Sequence, residues 1–210
     1  MKSIKQYHKR VLPHIQEDNG YFAITFRLAW TIPMSCLKEM ELELSEIEHE
    51  RLHSTKDLPK NQEPISLIKY KKYDDLIGII KNSPKWLQKP EIAEIVSGAI
   101  HYFDREKYNL IAYCIMPNHV HLILHPLVKS ELEFYTLTEI MVSIKTYTAK
   151  KCNRILGRTG QFWCHESYDH QIRNELDLRN QIEYLLYNPV KAHLVPSPEK
   201  WTYSWLVDDC

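Results

Sequence analysis

Hydrophobic and polar positions alternate along this chain with two different periods, and the changes of period mark its elements. Residues 20–32 are rich in aromatic and β-branched side chains, follow Gly20 and precede Pro33, which predicts a strand. From residue 36 the period changes. Leu37, Met40, Leu44 and Ile47 recur at helical spacing with glutamates between them, and Ile65 to Ile80 is helical again beyond a polar stretch holding Pro59 and Pro64. Residues 36–88 therefore read as a helical insertion within a single domain spanning 1–210. Pro90 suits the first turn of a further helix, where its missing N–H is no loss. Ile92, Ile95, Val96, Ala99, Ile100 and Phe103 form its apolar stripe, and it should end near Lys107.

Two β-rich runs follow, 110–116 and 119–125, split by Pro117-Asn118, which predicts a hairpin inside a sheet. In the second run Val120, Leu122 and Leu124 share one face, and His119, His121, Ile123 and His125 share the other. Thr136 and Glu139 have the spacing of a capping box, opening a helix that Gly157 would stop. Residues 158–172 are irregular or short strand. Asn174 starts a last helix with Leu178, Ile182, Leu185 and Leu186 as its buried stripe, and Pro189 predicts its end at Asn188. The order strand, helix, hairpin, helix, helix implies the α+β class, an antiparallel sheet covered by helices.

Charge refines this outline. Lys and Arg together number 27, as do Asp and Glu, so the chain is not a polycation. The distribution is uneven: residues 36–64 hold eight acids and four bases, whereas 141–173 hold six bases (Lys145, Lys150, Lys151, Arg154, Arg158, Arg173) and two acids. A local basic face fits a polyanion, and it fits a solvated helix equally well. No stretch approaches the ~18 apolar residues of a membrane span. The basic start, Met1 to Arg10, has no apolar run behind it and is not read as a secretory signal. The expectation is a cytoplasmic protein with no membrane partner. The five cysteines (Cys36, Cys114, Cys152, Cys164, Cys210) lack the close spacing of a zinc clip and read as free thiols.

Two features carry candidate chemistry. His119 and His121, separated by one apolar residue on a strand, point the same way and are spaced to converge on one divalent ion, although ordinary hydrogen-bonded histidines fit the same pattern. Tyr184 and Asn188 lie one helical turn apart beside an apolar stripe, which suits a hydroxyl facing a groove; a core-edge tyrosine followed by a capping asparagine fits too.

A resemblance decides among these readings. The run Ile115-Met-Pro-Asn-His-Val-His-Leu-Ile-Leu124 resembles the signature of the HUH transposases, named for His, a bulky hydrophobic residue, and His. Gly160-Gln-Phe-Trp163, Tyr168-Asp-His-Gln-Ile-Arg173, Ile182-Glu-Tyr-Leu-Leu-Tyr-Asn-Pro-Val-Lys-Ala192 and Trp201-Thr-Tyr-Ser-Trp205 follow in the family's order. Together they resemble the transposases associated with repetitive extragenic palindromes (REP), relatives of the single-tyrosine IS200-like enzymes. The resemblance covers roughly residues 20–34 and 90–205 and leaves 36–88 outside it.

The resemblance implies a ferredoxin-like antiparallel sheet. Tyr184 falls in the nucleophile's place and His119 and His121 in the metal ligands' places. Asn188 falls where relatives carry a polar residue, often Gln, that completes a site for Mg²⁺ or Mn²⁺. It further implies a metal-dependent enzyme that cuts and rejoins single-stranded or hairpin DNA through a 5′-phosphotyrosine. Lys145, Lys150, Lys151, Arg154, Arg158 and Arg173 would then follow phosphates, and Phe162, Trp163 and Tyr168 would stack bases. Monomer and homodimer both fit. The rival readings are a domesticated palindrome-binding protein without transposition activity and a metal-dependent hydrolase that uses water.

Overall fold

In the computed structural model, residues 6–9, 13–16, 20–53, 65–80, 82–131 and 133–208 are described. Pro59, Pro64 and Cys210 lie outside them, and of the Lys and Arg residues in the basic start only Lys9 is included. The chain divides into two compact units, Trp30–Ser83 and the remainder.

The larger unit opens with a hairpin of β1 (Gln6–Lys9) and β2 (Pro13–Gln16). Next come β3 (Tyr21–Leu28) and, after the inserted unit, α3 (Pro90–Tyr102), β4 (Tyr108–Ile115) and β5 (His119–Pro126). A small hairpin of β6 (Val128–Ser130) and β7 (Glu133–Phe134) leads to α4 (Leu137–Ile155), β8 (Trp163–Ile172), α5 (Glu175–Lys191) and β9 (Ser204–Leu206). The main sheet is antiparallel, with strand order β8-β3-β5-β4-β9. Without β9 this is a β-α-β-β-α-β unit of ferredoxin-like order, fourth-first-third-second, so the fold is the expected α+β type.

The period-2 pattern assigns the sheet's faces. Phe22, Ile24, Phe26 and Leu28 of β3 and Val120, Leu122 and Leu124 of β5 join Ile92, Val96 and Ile100 of α3 and Ile140 and Ile144 of α4 in one core. Both helices thus cover the same face. The opposite face carries Thr25, His119, His121 and His170, and α5 lies on it, with the Asp177 carboxylate 3.1 Å from His170 Nε2 and the Tyr184 ring beside His121. A helix with two polar neighbours on that face must itself be amphipathic in an unusual sense. Its buried positions accordingly include Gln181 and Asn188 as well as Leu185.

The smaller unit contains α1 (Met34–His53) and α2 (Ile65–Ile79). Lys69 pairs with Glu48 at 2.9 Å, and Lys72 pairs with Glu43, so bases of α2 meet part of the acidic run of α1. Exposed pairs of this kind contribute little stability. The unit's limits, 30 and 83, differ from the 36–88 read from periodicity; Trp86–Gln88 is a 3-10 turn of the larger unit.

Four elements differ from the sequence reading. The strand predicted to reach Ile32 stops at Leu28. The helix predicted to reach Lys107 stops at Tyr102, because Asp104 turns the chain by accepting a hydrogen bond from the Leu110 N–H at 2.8 Å. Residues 158–172, read as irregular or short strand, contain the ten-residue β8. Finally, α5 runs through Pro189 to Lys191. Proline removes its own donor, but the next turn still closes: the Ala192 N–H donates to Asn188 O at 2.9 Å and the Leu194 N–H to Pro189 O at 2.9 Å. The capping box is present as expected: Thr136 Oγ1 accepts from the Glu139 N–H at 3.1 Å and Glu139 Oε2 accepts from the Thr136 N–H at 2.9 Å.

Candidate active site

The site is built where β5 passes between β3 and β4. Register pairs Thr25 with His121 and Arg27 with His119, all on the face opposite the apolar core. Each imidazole is fixed through its Nδ1. His119 Nδ1 lies 2.6 Å from Asn118 Oδ1, and His121 Nδ1 lies 3.0 Å from Thr25 Oγ1. The Asn118 carbonyl accepts, so His119 carries its proton on Nδ1 and leaves a lone pair on Nε2. A Thr25 hydroxyl that accepts from His121 Nδ1 leaves that ring in the same state.

The two Nε2 atoms are then aimed at each other 2.9 Å apart, with the rings nearly perpendicular. Two lone pairs at that distance call for a cation or a proton between them. In octahedral coordination at about 2.0–2.1 Å, adjacent ligands are about 2.9 Å apart, whereas a tetrahedral ion would hold them near 3.3 Å. Two nitrogens so placed could hold one divalent ion, and they are equally at hydrogen-bonding distance from each other. Ligand histidines held through their second nitrogen by a carbonyl or hydroxyl are the usual arrangement around a bound metal.

Tyr184 stands beside this pair. Its ring is half-buried, perpendicular to that of His121, with centroids 6.3 Å apart. Tyr187, one turn on, is 53% exposed and lies on another flank of α5. Asn188 is buried on the Tyr184 side, and its Nδ2 donates to Tyr184 O at 3.1 Å. Lys191, in the last turn of α5, holds its ammonium over the Tyr184 ring, 5.4 Å from the centroid. His125 shares the strand face but stacks on Tyr21, with centroids 4.9 Å apart, and burial lowers its pKa.

The residues expected to meet DNA separate into two groups. Lys150, Lys151 and Arg154 project from α4 into solvent, with the half-exposed Tyr147 among them. Arg173 is exposed at the end of β8. Lys145 and Arg158 are held by the protein instead. Lys145 Nζ donates to the carbonyls of Cys164, His165 and Glu166 at 3.0–3.3 Å. Arg158 stacks on Trp86, 3.9 Å from its centroid, and donates to Asn153 Oδ1 and Gln161 O.

The aromatic group needs correction. Trp163 is 4% exposed, packs edge-on against Phe26 and donates its indole N–H to Thr148 Oγ1 at 2.8 Å. Phe162 is in the same core, and Tyr168 is buried on the histidine face opposite Thr25. None presents an open ring face on which a base could stack. Sequence reasoning missed Thr25, Asn118 and Lys191. Asn118 was adjacent to the motif, whereas Thr25 becomes visible only through strand register.

A family model described as "Transposase IS200 like" matches residues 68–184, more than half of the chain. A curated protein of Haemophilus influenzae that carries the name REP-associated tyrosine transposase is 28% identical over 102 residues, covering 46% of this chain and 58% of its own length. Among solved structures, a REP-associated tyrosine transposase bound to a REP hairpin superposes with a TM-score of 0.53 at 17% identity, covering 97% of this chain and 82% of that one, a likeness of fold. With the family match running through the histidine pair to Tyr184, the chain belongs to the IS200-like transposases.

Proposed function

We propose that this protein cuts and rejoins single-stranded DNA at hairpin or palindromic elements, with Tyr184 as nucleophile. The observation that carries the reading is the Tyr184 ring set against His121, whose Nε2 converges with that of His119. In the first step the Tyr184 oxygen forms a bond to phosphorus as the bond from phosphorus to the 3′ oxygen breaks. The strand's 5′ end is left as a phosphotyrosine, and its neighbour carries a 3′-hydroxyl. Attack by a different 3′-hydroxyl reverses the step and joins new partners, so no nucleotide cofactor is consumed. His119 and His121, with Asn188 proposed as a third ligand, would hold a Mg²⁺ or Mn²⁺ ion, and its positive charge would let an oxygen nucleophile approach a phosphodiester. Thr25 and Asn118 keep both imidazoles in the one tautomer that can accept such an ion.

The exposed cations of α4 lie on the layer opposite the histidines. A substrate that touches both passes around an edge of the sheet, as a folded hairpin with a single-stranded foot would. The H. influenzae protein bears the REP name, and the solved relative was bound to a REP hairpin.

The test is incubation of the full chain with labelled single-stranded hairpin DNA from the flanks of its own gene, in Mg²⁺ or Mn²⁺. A denaturing gel and peptide mass analysis follow. The expected result is a metal-dependent adduct on Tyr184 that Y184F abolishes and Y187F leaves in place. Continued cutting by Y184F would move the reaction to water and overturn the assignment.

A further inference from the structure

The passage of α5 through Pro189 has a chemical result. A helix ending at Asn188 would leave Lys191 in a loop; instead Lys191 occupies the last helical turn, seven residues and two turns from Tyr184, on nearly the same flank. Its ammonium sits over the face of the Tyr184 ring at 5.4 Å from the centroid, inside the range of a cation–π contact. A cation there is also favoured by the negative end of the helix. Two imidazoles are neutral ligands, so a divalent ion on them would bring its full charge to the histidine side, where Arg27 also lies. The transferring phosphoryl group spreads negative charge over its non-bridging oxygens, and charge aimed at those oxygens lowers the barrier.

We propose that Lys191 is a catalytic residue of the strand-transfer reaction, contacting a non-bridging oxygen of the phosphate that Tyr184 attacks and of the phosphotyrosine diester that results. The inference rests on Tyr184 being the nucleophile. A lysine's four-carbon stem lets the ammonium move from the ring face toward the hydroxyl end without rearranging the helix. As the bond from Tyr184 to phosphorus forms and the bond to the 3′ oxygen breaks, the phenol proton leaves to solvent and the 3′ oxygen takes one from solvent. Lys191 keeps its proton throughout, so atoms and charge balance with no further reactant. In the rejoining step the same ammonium faces the diester from the same side, which suits one cation to both directions.

The experiment is single-turnover adduct formation by the full chain on a labelled single-stranded hairpin with Mn²⁺ or Mg²⁺, over a range of DNA concentrations, comparing wild type, K191M, K191R and Y184F. The expected result is a roughly 10- to 100-fold slower rate for K191M at saturating DNA, from removing one charge-stabilising group. Half-saturation should stay within about twofold and K191R should recover most of the rate, which a purely structural lysine would not do. Lys191 is exposed, so wild type, K191M and K191R should unfold alike. The proposal is overturned if K191M matches wild type, if its defect vanishes as DNA is raised, or if K191R is no faster than K191M. A wild-type protein that forms no adduct while binding the DNA would remove the Tyr184 reading itself, and this outcome is separate from all of those.

Discussion

Replacing Thr25 by valine would test whether the metal site depends on a tautomer. The substitution keeps the β-branched shape and removes only the hydroxyl 3.0 Å from His121 Nδ1; both residues are fully buried. A buried donor stripped of its acceptor costs about 1–3 kcal/mol. In the metal-free protein T25V can avoid most of that cost. His121 moves its proton to Nε2 and donates to His119 Nε2, 2.9 Å away, so the loss of stability should fall at the low end, about 1 kcal/mol. Metal binding then has to expel that proton and restore an Nδ1–H with nothing to accept it. The full cost appears at that point, as an affinity about 10- to 100-fold weaker, equivalent to about 1.4–2.7 kcal/mol. Calorimetric titration with Mn²⁺ measures the affinity, and denaturant unfolding with and without Mn²⁺ measures both states. T25S should behave like wild type. Unchanged Mn²⁺ affinity in T25V, or a stability loss larger without metal than with it, would refute the reasoning.

Two further outcomes follow from where the cations and aromatics sit. Changing Lys150, Lys151 and Arg154 together to glutamine should weaken single-stranded DNA binding and flatten the plot of log affinity against log salt by about 2 units, at about 0.7 per phosphate contact. The T148V substitution, which strands the buried Trp163 indole N–H, should cost about 1–3 kcal/mol in denaturant unfolding while leaving DNA affinity unchanged.

The elements that the sequence disclosed were those with many residues of one period. The stripe Ile92, Val96, Ile100 announced α3, and the alternation of Val120, Leu122 and Leu124 against His119 and His121 announced both β5 and its polar face. The capping residues of α4 were equally plain. What stayed hidden depended on contacts remote in sequence. β9 has three residues, too few to show alternation, and is a strand only because the edge of β4 is there to pair with. β8 carries a register irregularity opposite Phe26 and Leu28, which breaks its alternation where the eye would seek it. Trp163 was expected to stack bases, and its hydrogen bond to Thr148, fifteen positions away, was invisible in the sequence. In the site, His119, His121 and Tyr184 were legible as residue types in an ordered set of motifs. Their geometry was not, because it is set by Thr25, which lies 96 positions from His121.

The same irregularity in β8 gives Lys145 a meaning outside nucleic-acid binding. β8 is an outer strand of the sheet, and between its pairings at Trp163 and Ser167 the residues 164–166 depart from the ladder. The three carbonyls to which Lys145 donates belong to those residues. Bare acceptors on an outer strand are a template for another chain, and a charged side chain laid across them is a common deterrent. Lys145 satisfies these acceptors from within the chain. Its removal should show itself in concentrated protein, as self-association along β8 during refolding, before it shows in any measurement of DNA.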